Sequence, residues 1–302
     1  MNWNRKAEQM WVQEPVTGKI FPLPVGDAGE SERYWSVKTH YPSFDELFKG
    51  FKSGNLVGIG GKHAVGKSAL ALNLALSMAD HGTKVCLFSF ELSEEDVIAR
   101  LLARMTTTEM SAIQSRNLTQ DQAEAVEETL GIFDSLPLEI YAPPTMTVDA
   151  IRETARKSLR GCTEGILIID CLQLIQPSRK CDCYDDIDER LDSIVISLKR
   201  LAMELQVPVI VTTHLDQTDD LGDAYPLSEH ADIVMFLDRA QEDEGSDELG
   251  IPMDIYIAKF RQGPMGATLR LTFAPQWMWF VQYVDSQPTI SDETVPTRDL
   301  SL

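Results

Sequence analysis

Positive charge is what this sequence is shortest of. Lysine and arginine together number 27 against 47 aspartates and glutamates, a formal charge of −20 that excludes any chain-wide attraction to nucleic acid or anionic lipid. Contact with a polyanion must therefore be local. Long apolar runs are lacking as well: the most apolar stretch, Ala69 to Ala79, is broken by Asn73 and is too short to span a bilayer, and the opening MNWNRKAEQMW has no apolar signal core. A soluble, cytoplasmic protein with no membrane contact is expected. Cysteines are few, at 86, 162, 171, 181 and 183, and their odd number and irregular spacing exclude a disulfide framework. Cys181 and Cys183 form a C-x-C pair, but no second pair or histidine cluster follows at zinc-ligand spacing, so free loop thiols are expected there. With 43% hydrophobic residues over 302 positions, the rest is ordinary globular composition, enough for one large domain or two modest ones.

What is present falls into three parts. Residues 1–35 hold three tryptophans and the proline-rich stretch Ile20 to Val25 without helical or strand period, and read as an extended arm suited to docking a protein partner. From Ser36, short apolar runs alternate with amphipathic segments, which predicts βαβ units. Strands are expected at Asn55–Ile59, Lys84–Phe90, Leu138–Tyr141, Gly165–Asp170 and Val207–Thr213, and helices at Ser68–Ala79 and Ile187–Leu205. In the second helix Ile187, Leu191, Ile194, Leu198, Leu201 and Leu205 recur every three or four residues and make one buried stripe. After Ala231 the segments Ile233–Leu237, Ile255–Lys259 and Leu269–Phe273 read as antiparallel strands. The expected class is α/β, one domain over residues 36–284 with a mostly parallel central sheet and an antiparallel C-terminal extension. The acidic loop 241–250 and the tail 285–302 are expected to be solvated and disordered.

Chemistry enters at Gly61-Lys-His-Ala-Val-Gly-Lys67-Ser68, a complete G-x-x-x-x-G-K-[ST] loop. An apolar strand precedes it and an Ala/Leu-rich helix follows, so backbone N–H groups and the helix N-terminus face phosphate oxygens. Gly61, Lys62, His63, Ala64, Val65, Gly66, Lys67, Ser68 and Ala69 form the expected nucleotide-binding set, with Lys67 on the β- and γ-phosphates and Ser68 on Mg²⁺. A dinucleotide fingerprint fails, because Gly58-x-Gly60 is followed three residues later by His63. Asp170, at the end of an apolar strand, is the expected second Mg²⁺ anchor; the bland alternative is a cap for the next segment. Glu91 ends the next apolar strand and reads either as the carboxylate that polarises the attacking water or as a first-turn acid of the helix after Ser93. His214 ends the strand from Val207 and reads as a γ-phosphate sensor beside Asp170 or as a structural histidine.

At these residues the chain resembles the C-terminal ATPase domain of DnaB-type replicative helicases, RecA-like proteins that form hexameric rings. The resemblance runs from about Lys38 to Tyr283 and is carried by Ser43-Phe-Asp-Glu-Leu47, Gly61 to Ser68, Phe88-Ser-Phe-Glu-Leu-Ser93, Ile168-Ile-Asp-Cys-Leu-Gln-Leu174, Leu198 to Val209, Ala231 to Phe236 and Ala258-Lys-Phe-Arg-Gln-Gly-Pro264. It implies a RecA-like P-loop fold and an ATP hydrolase with ATP and Mg²⁺ at its site. It also implies that Glu91 is the catalytic carboxylate, and that Lys259 and Arg261 reach the γ-phosphate of a neighbouring subunit in a homo-oligomer. From residue types alone, Lys259 and Arg261 pass as exposed charges on an edge strand. His214 stands where the bacterial enzymes usually place glutamine, and is similar to some phage ring helicases. The family's helical N-terminal domain has no counterpart in residues 1–35.

The resemblance further implies single-stranded DNA in a central pore lined by the loops after Asp170 and His214. Residues 177–190 carry three basic residues against five acidic ones, and residues 216–230 carry five acids and no lysine or arginine. Arg179 and Lys180 are the expected DNA contacts, a solvated loop the alternative. Two functions follow: a DnaB-class helicase serving DNA replication or a mobile-element process, and a RecA-like ATPase switch acting on protein partners, which the acidic loops favour.

Overall fold

The computed structural model describes residues 3–6, 9–13, 20–22, 35–178, 187–215, 225–240, 250–282 and 289–290. The chain divides into two units, Met1–Trp35 and Ser36–Leu302. In the first, strands β1 (Trp3–Lys6), β2 (Gln9–Gln13) and β3 (Ile20–Pro22) form an antiparallel sheet in that order, with Trp3 opposite Val12 and Trp11 opposite Pro22. This departs from the extended arm expected there. Segments of three to five residues are too short for a side-chain period to stand out, and backbone pairing alone defines them.

The second unit opens with β4 (Ser36–Val37), which pairs with β5 (Phe51–Lys52) across α1 (Pro42–Phe48). Then come β6 (Leu56–Gly61), α2 (Lys67–Asp80), β7 (Lys84–Ser89), α3 (Glu94–Thr106), α4 (Met110–Ser115) and α5 (Gln120–Phe133). β8 (Leu138–Tyr141), β9 (Met146–Thr147), α6 (Val148–Ser158), β10 (Gly165–Asp170) and β11 (Ile175–Gln176) follow. Last are α7 (Ile187–Leu205), β12 (Val209–His214), α8 (Tyr225–His230), β13 (Ile233–Arg239), β14 (Ile251–Phe260), β15 (Ala267–Ala274), β16 (Trp279–Val281) and β17 (Thr289–Ile290). The main sheet runs β16-β15-β14-β13-β6-β12-β10-β7-β8. Every neighbouring pair from β13 to β8 is parallel, and every pair from β13 outward to β16 is antiparallel. A parallel core with an antiparallel C-terminal extension is thus what the chain builds. β17 pairs with β15 at Ala267 and Thr268, a short strand inside the tail expected to be disordered, held by backbone bonds that two residues of sequence do not announce.

Burial explains the composition of the central elements. All six residues of β6 and all six of β10 are buried, so these strands read as continuous apolar runs and not as alternation. α2 buries twelve of its fourteen residues, which is why it has no polar stripe. Its one amide, Asn73, is fully engaged: Nδ2 donates to the carbonyls of Ala69 at 2.7 Å and Met278 at 2.8 Å, and Oδ1 accepts from the Phe280 N–H at 3.1 Å and the Tyr41 hydroxyl at 3.3 Å. Asn73 thereby ties the antiparallel extension to the helix that follows the phosphate loop. Among the described residues no helix is long and apolar enough to cross a membrane.

Candidate active site

Parallel pairing aims the C-terminal ends of β6, β12, β10 and β7 at one edge of the sheet, where open α/β sheets gather ligands. The register is specific. His214 lies opposite Gly61, Asp170 lies opposite Ser89, and the Phe90 N–H donates to the Asp170 carbonyl at 2.6 Å, which sets Glu91 just past the same edge.

The turn from β6 into α2 is the glycine-rich loop. Gly66, with φ +111°, is the N-cap of α2, a conformation that a side chain would strain. A Cβ on Gly61 would lie 2.7 Å from the Leu237 carbonyl oxygen, so the loop can pass β13 only with glycine there. The first-turn N–H groups of α2 at Ser68 and Ala69 are free of intrahelical partners and border the cleft. Lys67 is 4% exposed, and its Nζ donates back to the loop carbonyls of Gly61 at 2.9 Å and Lys62 at 2.7 Å. Burial lowers its pKa, against the pull of Glu91 and Asp170.

Asp170 is 3% exposed, and its Oδ1 accepts from the Ser68 hydroxyl at 3.1 Å and the Thr212 hydroxyl at 2.5 Å. Burial pushes its pKa up, and those two hydroxyls offset the rise only in part. Ser68 and Asp170 thus present adjacent hard oxygen donors, the chemistry that suits Mg²⁺. Thr212 was not among the expected site residues. The signal was its place two residues before His214, on the same face of β12.

Glu91 lies two residues before Ser93, the N-cap of α3, so it is not a first-turn acid of that helix. Its Oε1 accepts from His214 Nε2 at 2.7 Å and from the Cys171 thiol at 3.1 Å. Burial raises its pKa, but the bonds from His214 and Cys171 and the charge of Lys67 outweigh burial and hold the carboxyl below its usual range. The His63 ring sits 5.5 Å from that of His214. Lys67, Ser68, Glu91, His214, Arg100 and Met278 are among the residues around a cleft of ≈ 290 Å³. Arg100, on α3, belongs to no spacing motif, and Cys171, although inside the motif Ile168 to Leu174, has no neighbour in sequence that points to Glu91.

Lys259 and Arg261 are not drawn into this cluster. Lys259 Nζ donates to the carbonyls of Ser228 at 2.6 Å and Glu229 at 2.8 Å, and Arg261 donates to the Glu229 carbonyl at 3.3 Å and lies 3.7 Å from Asp232. Both therefore sit against the C-terminal end of α8. Arg179, Lys180, Cys181, Cys183, the acidic loop 241–249 and most of the second acidic loop lie outside the described residues.

The DnaB-like helicase C-terminal domain family matches residues 36–282. The replicative DNA helicase DnaC of Bacillus subtilis (strain 168) is 29% identical over 257 residues, 81% of this chain and 56% of the relative. The chain thus spans about half the length of the curated relatives it matches. One solved ATPase domain superimposes with a TM-score of 0.75 at 26% identity, covering 83% of this chain and 92% of that one. A DnaB-like replicative helicase, solved in a study of its interactions with primase, gives 0.74 at 26% identity, with 82% and 62% covered.

Proposed function

Because the chain belongs to the DnaB-like helicase C-terminal domain family, we propose that it hydrolyses ATP with Mg²⁺ and, in a homo-oligomeric ring, couples hydrolysis to translocation on single-stranded DNA and duplex unwinding. DNA replication or a mobile-element process is the setting. One observation carries the chemistry: Lys67, Ser68, Glu91 and His214, from the phosphate loop and two strand ends, meet around a single cleft, with Asp170 at a third strand end bonded to Ser68 behind it.

On this reading the N–H groups of Gly66 to Ala69 and the α2 N-terminus cradle the phosphates, and Lys67 exchanges the carbonyls of Gly61 and Lys62 for phosphate oxygens. Ser68 and Asp170 would hold Mg²⁺, which supplies charge neutralisation on the β- and γ-phosphates. Glu91 is anchored through Oε1, which leaves Oε2 to orient the attacking water and take its proton. Its lowered pKa keeps it ionised for that task. His214 both positions Glu91 and stands where it can report the γ-phosphate. Lys259 and Arg261 contact α8 and not their own cleft, which supports their acting on a neighbouring subunit's nucleotide. Arg179 and Lys180 are the proposed DNA contacts, residues 1–35 the proposed protein-docking segment, and the cytoplasm the proposed location.

ATPase measured with and without single-stranded DNA tests this. Turnover is expected in wild type, stimulated by DNA at low salt, and at background in Lys67→Ala. Turnover at the wild-type level in Lys67→Ala overturns the site. Turnover that ignores DNA, together with no DNA binding at low salt, replaces the helicase reading with the protein-switch reading.

A further inference from the structure

Glu91, Cys171 and His214 bring a carboxylate oxygen, a sulfur and an imidazole nitrogen within 4.8 Å of one another at the edge of the cleft. They come from three neighbouring strand ends, those of β7, β10 and β12, so the sheet fixes their separation. Hydrolysis at this site requires only the carboxylate and its positioning. Positioning that carboxylate takes a hydrogen-bond donor but not a sulfur, and three donors of three classes are what a zinc-class ion recognises, whereas Mg²⁺ and Ca²⁺ avoid sulfur.

The distances suit such an ion. Tetrahedral zinc with bonds of about 2.0–2.3 Å sets its donors about 3.4–3.6 Å apart. Glu91 Oε1 is 3.1 Å from Cys171 Sγ and 2.7 Å from His214 Nε2, so these two separations need to open by less than an ångström, and all three donors lie within 4.8 Å of one another. Glu91 and His214 also line the cleft, whose open side supplies a fourth position.

We propose that Glu91, Cys171 and His214 form a binding site for a zinc-class divalent ion, distinct from the Ser68–Asp170 pair, and that filling it switches the ATPase off. On binding, the Cys171 Sγ–H bond breaks, a metal–sulfur bond forms and the proton passes to solvent, with no change of oxidation state. The ion takes Glu91 Oε1, the oxygen that His214 and Cys171 now hold, and its positive charge strips the whole carboxylate of basicity, so Oε2 no longer takes the water's proton. The binding half stands on the cluster itself; the switching half rests on the proposed ATPase.

The test uses the full chain with Cys181→Ser and Cys183→Ser, without nucleotide or Mg²⁺, titrated with Co²⁺ alone. A thiolate-to-cobalt absorption band is expected to saturate at one ion per chain and to vanish when Zn²⁺ is added. Adding Cys171→Ser should abolish the band. Because changes in residues merely behind a ligand cost about 10–100-fold in metal affinity, removing this ligand should weaken Zn²⁺ at least ~100-fold. His214→Gln should weaken it as well. No band, or a band that survives Cys171→Ser, overturns the site. With excess Mg²⁺ and ATP, Zn²⁺ should suppress turnover in the chain that retains Cys171; turnover indifferent to Zn²⁺ at saturation overturns the switch. A chain that shows the band yet never hydrolyses ATP overturns the proposed ATPase and leaves the metal site standing.

Discussion

Two donors on one carboxylate oxygen decide how Glu91 behaves. A half-buried acid left alone would rise in pKa, and this one is held low instead by His214 and Cys171. Glu91→Gln keeps the shape and removes the base. ATP binding should persist while turnover falls about 10²–10⁴-fold, the usual range for a general base, measured by nucleotide binding and single-turnover hydrolysis side by side. A second residue-scale case is Glu139, whose Oε1 lies 2.5 Å from Lys84 Nζ and whose Oε2 accepts from Tyr141 at 2.8 Å. The bond from Lys84, more than any other cause, takes its carboxyl from 4.5 down to about 2. A depressed folded pKa contributes stability that is complete above the unfolded value and lost as pH falls through the folded one. Glu139→Gln should therefore lower Tm at neutral pH, and the gap to wild type should narrow below pH 4.5 and close near pH 2. A gap that stays constant across that window would show that the carboxylate's charge is not what stabilises β7 against β8.

Among the elements, α2 shows what a single polar residue does inside an apolar helix. Asn73→Leu keeps the volume but strips partners from the buried Phe280 N–H and the part-buried Met278 carbonyl. Leaving buried groups unpaired costs about 1–3 kcal/mol, so the urea midpoint should fall with its slope unchanged. A midpoint at the wild-type value would mean that β16 and α2 are held by apolar contact alone. Elements of this kind were legible in proportion to their local pattern. α7 spans Ile187–Leu205 as its stripe predicts, and β8 and β10 match their apolar runs residue for residue. β14 begins at Ile251, four residues before the expected Ile255, because Pro252 masks a strand signal in a segment that nonetheless pairs with β15. β4, β5, β9 and β11, two residues each, carry no period at all. The site divides the same way. The phosphate loop and Asp170 could be read because each belongs to one local motif. The meeting of Glu91 with Cys171 and His214 could not, because it depends on β7, β10 and β12 lying side by side, an order set by pairing between segments 40–80 residues apart.

On the scale of the whole molecule, the charge of −20 and the placement of Lys259 and Arg261 bear on assembly. A chain so acidic repels both its own copies and a phosphate backbone at low salt, so a ring must close through specific contacts. If Arg261 completes a neighbour's site, Arg261→Ala should retain nucleotide binding and lose about 10³–10⁵ in turnover, the range for an arginine finger supplied in trans. Lys67→Ala should be inactive for the opposite reason, through its own nucleotide. Mixing the two variants makes the distinction quantitative. In a random 1:1 assembly a site is complete only where an intact Lys67 meets an intact Arg261, a joint chance of about one in four if interfaces form independently. Turnover of about a quarter of wild type is thus the ceiling, reached when sites fire independently and undershot when the ring demands every site. Remixing at concentrations below those that sustain the oligomer should abolish the recovery. Wild-type turnover in Arg261→Ala alone, in particles shown by light scattering to be oligomeric, would place Arg261 outside the neighbour's site and leave its contacts with α8 and Asp232 as its whole role.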